Sequence, residues 1–477
     1  MNVAALLPVN RPVPSRTAVA LACLGYLLLV ITVRLWYVGH FAAPLPFWDQ
    51  WDAEGDTLLR PWIEGTLRLP DLWAPHNEHR LLPSRLISLA LYETTGAWDN
   101  LDAARLNVLL AALPGVALLA LLLRDGALHG WRWLLLPVML AGQLLPFGWE
   151  NMLVGFQSQF YVMQSLVLAT VALAAWRPDH PYAIAAMLAL SVVSCLTMAS
   201  GLLAPVATLA VLLAQSRIEG RQPLRRTIAC VLLLSIALIA YGTTPPMPGH
   251  APLRAPDLTT LVDATVHLLG WPVSMAHWAW VPLWAPGVIA CAWLWFRRDF
   301  ERADLMMAGL MLWAGLQAGA SAYGRGNGLV EPPSRYMDLL STGLMANAWF
   351  AMRLLEMPRP GAARAAGALV AIAFVATFTG GHAQRLERDY AAMKARHALS
   401  MVQMRNVIAY VDGGNPVVLE QPPLHIPYPD ARALRGWLDD PVLLQALRGG
   451  DALSAPVAAA APAAVPTTPT PTPAPAH

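Results

Sequence analysis

A succession of long apolar runs governs what this chain can become. The first extends from Thr17 to Val33, and further ones end at about residues 123, 148, 176, 199, 215, 242, 296, 322, 353 and 380. Each is about 15 to 22 residues long, close to the ~20 that a helix needs to cross a bilayer. In hydrocarbon every backbone N–H and C=O must be satisfied within the protein, so runs of this length read as helices. The chain is therefore expected to be an all-α polytopic membrane protein with about eleven spans. Composition agrees: 56% of the 477 residues are hydrophobic and 13% charged, too apolar for a soluble protein of this size. The first run, preceded by Arg11 and Arg16, is read as a membrane helix and not a signal peptide, because many spans follow it.

Arginine placement gives an orientation. With the N-terminus inside, the loops holding Arg124 and Arg132, Arg177, Arg217 to Arg226, Arg297 to Arg302 and Arg353 to Arg364 all fall on the inside, whereas the turns Gly148–Gln159 and Met198–Gly201 hold no arginine. The same count puts the first loop, the loops at 243–280 and 323–336, and the C-terminus outside. The formal charge is only +2 and the basic residues are scattered, which gives no support to a nucleic-acid partner. Cys23, Cys195, Cys230 and Cys291 lie in apolar runs without paired spacing and read as small core residues. Lys394 is the only lysine, leaving arginine as the strong cation of the membrane region.

This divides the chain into a cytoplasmic N-terminus (1–16), a membrane domain (17–380) with a large outer loop at 39–100, an outer C-terminal segment (381–450) and an Ala/Pro/Thr tail (451–477). The tail cannot bury enough surface to order itself. The C-terminal segment is small for an independent domain and is expected to lean on the outer loops, with Pro416–Glu420 as a candidate strand. The first outer loop is expected to form amphipathic helices held in the membrane interface by Trp48, Trp51, Trp62, Trp73 and Trp98.

That loop also concentrates the reactive side chains. Asp49 and Asp52 follow the first span almost at once, and a carboxylate at the edge of a low-dielectric region gains basicity, which suits a general base. If residues 47–64 are helical, Asp49, Asp52 and Asp56 share one face and Glu54 points elsewhere. Further on, His76, Glu78, His79 and Arg80 suggest substrate positioning, with Arg85 beside them. His76 and His79 sharing a metal on a helix, with a carboxylate from elsewhere, is possible but less favoured. In the fourth span Gln157, Tyr161 and Gln164 fall on one face, below Glu150 and Asn151, so they either line a cavity or join helices. Arg325 and Arg335 flank a glycine-rich outer loop, Tyr323–Tyr336, suited to a phosphate anchored in the bilayer; arginines reaching to lipid headgroups are the alternative.

Taken together, the acid motif just after span one, the half-buried outer helices, the late arginine-bearing outer loop and the outer C-terminal segment resemble the GT-C class of membrane glycosyltransferases. The resemblance implies transfer of a sugar from a polyprenyl-phosphate donor to a lipid-linked or surface-glycan acceptor, on the outer side of a bacterial plasma membrane and without a cofactor. It implies Asp49 as catalytic base with Asp52 second, and Arg335 or Arg325 at the lipid phosphate. Asp-Gln-Trp-Asp replaces the adjacent Asp-Glu pair of protein mannosyltransferases, which speaks against a protein acceptor. Two alternatives are a transporter or flippase of a lipid-linked or anionic solute, and a polymerase or ligase of surface polysaccharide.

Overall fold

The computed structural model describes residues 14–273, 276–329, 331–357 and 361–453. Arg11 and the tail from residue 454 onward lie outside them. Among the described residues the chain is helical without strands, and His76 and His79 alone form an isolated antiparallel bridge. The first half contains α1 (Arg16–Phe41), α2 (Leu82–Thr95), α3 (Asn100–Arg124), α4 (Leu135–Leu144), α5 (Ser158–Trp176), α6 (Pro181–Cys195) and α7 (Leu203–Glu219). The second contains α8 (Leu224–Gly242), α9 (Leu258–Leu269), α10 (Trp280–Arg297), α11 (Arg302–Arg325), α12 (Met337–Glu356), α13 (Gly361–Gly413), α14 (Ala431–Leu438) and α15 (Pro441–Arg448).

Seven of these segments are long and apolar enough to cross a membrane: α1, α3, α5, α7, α8, α11 and α13, with a short turn leading into α5 and α7. The shorter or more polar α4, α6, α10 and α12 coincide with the other four apolar runs. The helices form one large core, yet α1 buries only a single face, Val19, Tyr26, Val30, Arg34 and Val38, and leaves the rest apolar and exposed. An apolar face with no protein against it is what a lipid-facing helix requires. At one end of the bundle the arginine-bearing loops meet. Arg132 pairs with Glu301 (2.8 Å) and Glu356 (2.7 Å), Arg353 with Asp304 (3.0 Å), and Arg226 with Asp179 (2.7 Å).

At the opposite end stands a second core built from the first loop and the C-terminal segment. It contains Leu45, Trp51, Leu58, Leu59, Leu89 and Trp98 from one, and Met404, Val407, Leu419, Leu434, Leu438, Leu443 and Leu447 from the other. The C-terminal segment does lean on the first loop. It reaches there along α13, whose 53 residues continue without a break past residue 380; at 1.5 Å per residue this is a rod of roughly 80 Å. Two expectations are corrected here. Pro416–Leu419 is a 3-10 turn, because Asn415 caps it through the Val417 N–H (3.1 Å) and no neighbouring strand offers an edge. Trp51 and Trp98 are not interfacial: both are buried, edge to face at 5.2 Å, while Trp62 and Trp73 remain exposed.

The loop helix itself departs from α geometry. Gln50–Leu59 winds in wide π-type turns, with the Arg60 N–H reaching back five residues to Gly55 O. The wider turn brings Glu54 inward, where Gln50 Nε2 (3.0 Å), Trp98 Nε1 (3.2 Å) and the Ser88 hydroxyl donate to its carboxylate. Gly55 is what lets Trp98 approach, since a Cβ there would lie 2.4 Å from its ring. Gly55→Ala gains helix propensity worth about 1 kcal/mol, but overpacking of about 1–3 kcal/mol outweighs it. The variant is expected to unfold at lower temperature than the parent, and an equal or higher midpoint would show that the ring gives way freely.

Candidate functional site

The site forms where α1 ends and the loop begins. Trp48 adopts a left-handed backbone (φ 55°) and its N–H donates to Pro427 O of the C-terminal segment (2.7 Å). Such a conformation costs an aromatic residue on the order of 1–3 kcal/mol and persists only where its surroundings fix it. The sharp bend sets Asp49 at the head of the π-type segment, with Asp52 one turn on. His76 comes from the later turn 76–79, closed by reciprocal bonds His76 N–H to His79 O (2.8 Å) and His79 N–H to His76 O (2.9 Å). One ligand atom from each of Asp49, Asp52 and His76 lies within 4.8 Å of the others. The Tyr428 hydroxyl donates to Asp52 Oδ2 (3.5 Å) from the C-terminal segment.

Burial pushes the Asp52 carboxyl up to about 6, with His76 opposing and the like charge of Asp49 adding to the rise. A carboxyl raised in this way holds a proton more readily than a free aspartate and can take one up near the upper end of the carboxylate range. Donors of this kind and spacing also suit a divalent cation. The metal donors differ from the sequence expectation, because residues 76–79 form a tight turn and not a helix. His76 keeps to the acids, whereas His79 Nδ1 accepts the Ala199 N–H (3.1 Å). Burial pulls the His79 imidazole down to about 4 against the charge of Glu78, so it is neutral at pH 7.

The expected phosphate ligands separate. Arg335 belongs to the site. Its Nη1 donates to Glu150 Oε1 (3.3 Å), its backbone N–H to Glu150 Oε2 (2.9 Å), and its guanidinium lies 5.3 Å from the Tyr336 ring centre. Burial works against the Arg335 charge, but Glu150, Tyr336 and Asp49 more than offset it and hold the group above the ordinary arginine range. Arg325 instead closes a separate clasp with Glu78 (3.3 Å), which His250 Nδ1 also meets (2.8 Å). Arg80 donates to the carbonyls of Trp73 (3.3 Å) and Thr243 (2.9 Å), and Arg85 to those of Asp71 (2.8 Å) and Ala74 (2.6 Å).

Of the polar residues of the fourth span, Gln164 and Tyr161 join helices. Gln164 Nε2 donates to Asp338 O (2.6 Å), and the Tyr161 hydroxyl accepts from Arg34 Nη1 (3.2 Å). Gln157 Oε1 accepts from its neighbour Gln159 (3.2 Å). Sequence reasoning missed four participants. Arg34 and Asp338 form a buried pair at 3.7 Å, and Asn151 Nδ2 bridges Asp338 Oδ2 (2.8 Å) to the backbone carbonyl of Arg335 (2.8 Å). Arg396 stacks its guanidinium 3.7 Å from the Phe47 ring centre and feels the charge of Glu150. Tyr428 is the fourth. An arginine one residue past an apolar run was the signal for Arg34; nothing local marks Tyr428.

Difference infrared spectroscopy in chelator-containing buffer should find a carboxylic-acid band that grows as pH falls, with a midpoint near 6, and that is missing from Asp52→Asn. A raised pKa means the proton is held below that midpoint and lost above it; a midpoint in the ordinary range near 4 would contradict the burial of Asp52. No family model, curated protein or solved structure matches this chain, so the site is known by its own geometry.

Proposed function

We propose that the chain is an integral membrane glycosyltransferase, crossing a bacterial plasma membrane eleven times with its N-terminus inside. It moves a sugar from a polyprenyl-phosphate donor to a lipid-linked or surface-glycan acceptor on the outer face. The observation that carries this proposal is the grouping of Asp49, Asp52 and His76, with Tyr428 on Asp52, at the end of an apolar helix and with Asp49 within electrostatic reach of Arg335. A carboxylate of raised basicity with a cation in reach is the pairing that a displacement at an anomeric carbon needs. The acceptor hydroxyl gives its proton to the carboxylate pair as its oxygen bonds to the anomeric carbon. The bond from that carbon to the donor phosphate breaks, and the phosphate leaves with the electron pair toward Arg335. The raised basicity of Asp52 lets it share the part of base with Asp49, whose charge Arg335 also feels.

A metal-assisted form of the same transfer is favoured by one observation, the 4.8 Å grouping of Asp49, Asp52 and His76. Chelation separates the two: transfer that survives excess EDTA runs on the carboxylates alone, and transfer that stops and returns with Mn²⁺ runs through the ion.

With purified protein and its lipid donor, Asp49→Asn is expected to lower transfer roughly a hundredfold while the protein stays folded. Arg335→Lys should weaken donor use by about 1–3 kcal/mol, since lysine cannot serve Glu150 and a phosphate with one planar fork. Arg325→Lys should leave donor use near that of the parent because that arginine belongs to the clasp. Full transfer by the Asp49 variant would remove the assignment. Orientation is tested in a cysteine-free background, where a membrane-impermeant thiol reagent should label Glu64→Cys from outside and spare Arg225→Cys. Labelling of both from one side would overturn the topology.

A further inference from the structure

The end of the bundle remote from the proposed catalytic site carries a cavity of about 330 Å³, lined among others by Arg177, Asp179, Glu219, Arg221 and Arg302. Three connections meet there: α5 to α6, α7 to α8, and α10 to α11. The acids are already taken. Fully buried Arg226 donates to Asp179 (2.7 and 3.0 Å) and Glu219 (3.0 Å) from behind, and Arg221 donates to Glu219 (3.1 Å) at the rim. Four guanidinium groups against two carboxylates leave a formal excess of two positive charges. That excess sits on Arg177 and Arg302, which stand exposed at the open rim and whose guanidinium groups make no ion pair or side-chain hydrogen bond among the described residues. The cavity also borders the first turn of α6, where Pro181 opens the helix and no side chain caps it, so the positive end of the helix dipole is uncovered.

We infer that this cavity binds a phosphate group, held by Arg177 and Arg302. Planar guanidinium forks match phosphate oxygens two at a time, and a doubly cationic cavity beside an uncapped helix start favours an anion over a zwitterion. α5 ends at Trp176, α7 at Glu219 and α11 begins at Arg302, so the cavity lies where three candidate spans stop. A phosphate can therefore arrive there from a lipid headgroup or from a soluble phosphate ester. The site stands apart from Asp49 and Arg335 and does not rest on the glycosyltransferase proposal.

The test uses the full chain purified in neutral detergent, with thermal unfolding and native mass spectrometry as readouts. Phosphatidylglycerol, phosphatidylcholine and glycerol 3-phosphate are the probes. Saturable binding and a raised midpoint with phosphatidylglycerol, but not phosphatidylcholine, are expected. If glycerol 3-phosphate does as well, the phosphate source is soluble; if it does not, the source is the lipid. Arg177→Gln combined with Arg302→Gln removes no ion pair or side-chain hydrogen bond among the described residues, so it should fold as the parent does and bind at least about tenfold more weakly. Arg124→Gln, on the same end but outside the cavity, should bind like the parent. Binding of none of the anionic probes, unchanged binding by the double variant, or an equal loss in Arg124→Gln would each overturn the proposal.

Discussion

A guanidinium well inside the first apolar helix must find a carboxylate or be expelled toward water, and much of this structure follows from where Arg34 finds one. Asp338 lies 3.7 Å away at the start of α12, far along the chain, and Tyr161 and the Gln143 carbonyl take up its remaining donors. Pairing at such depth is costly to assemble and more costly to break, because either partner alone would be a stranded charge. It fixes α1 against α12, and through Asn151 it also fixes the backbone at Arg335. The cation of the proposed site is thus located by a buried ion pair that is not itself part of the acid cluster.

The acid side of the site is positioned by different means. Glu54 is buried among Gln50, Ser88 and Trp98 and anchors the π-type turns of the loop helix. The strained backbone at Trp48 aims Asp49. The second device needs a partner outside the loop, and the loop's own apolar side chains need a surface to pack against. The C-terminal segment supplies that surface: Trp437 stacks on Trp51 at 6.3 Å, and Pro427 O receives the Trp48 N–H. Two cores, one at membrane depth and one beyond it, therefore converge on a few side chains between them.

The membrane helices were legible in the sequence because hydrocarbon imposes one rule over long windows, and even the short α4 and α6 fall on runs that hydropathy marks. Asp49 and Asp52 were legible for a related reason: charges that close to a membrane helix stand out against it. Pairings were not legible. Glu150 and Arg335 were both singled out, but only the folded chain makes them partners, and Glu78 and His79, neighbours of His76, turn to Arg325 and Ala199 instead. Turn geometry at 76–79 decides this, through left-handed Asn77 (φ 50°) and the reciprocal bonds between the histidines. Tyr428 and Arg396 acquire their roles from a helix that passes out of the membrane unbroken, which no local pattern in either segment announces.

That unbroken passage has a consequence for biogenesis. The chain is made from its N-terminus, and Asp49, Asp52 and His76 leave the ribosome more than three hundred residues before Tyr428. Until the C-terminal segment has been made and has docked, Asp52 lacks Tyr428, and Trp48 has nothing to hold its strained conformation. The acid cluster therefore takes its folded form only after the residues around Tyr428 have been made and have docked. Chains that stop short of that segment would carry every acid of the cluster without the bond that sets Trp48.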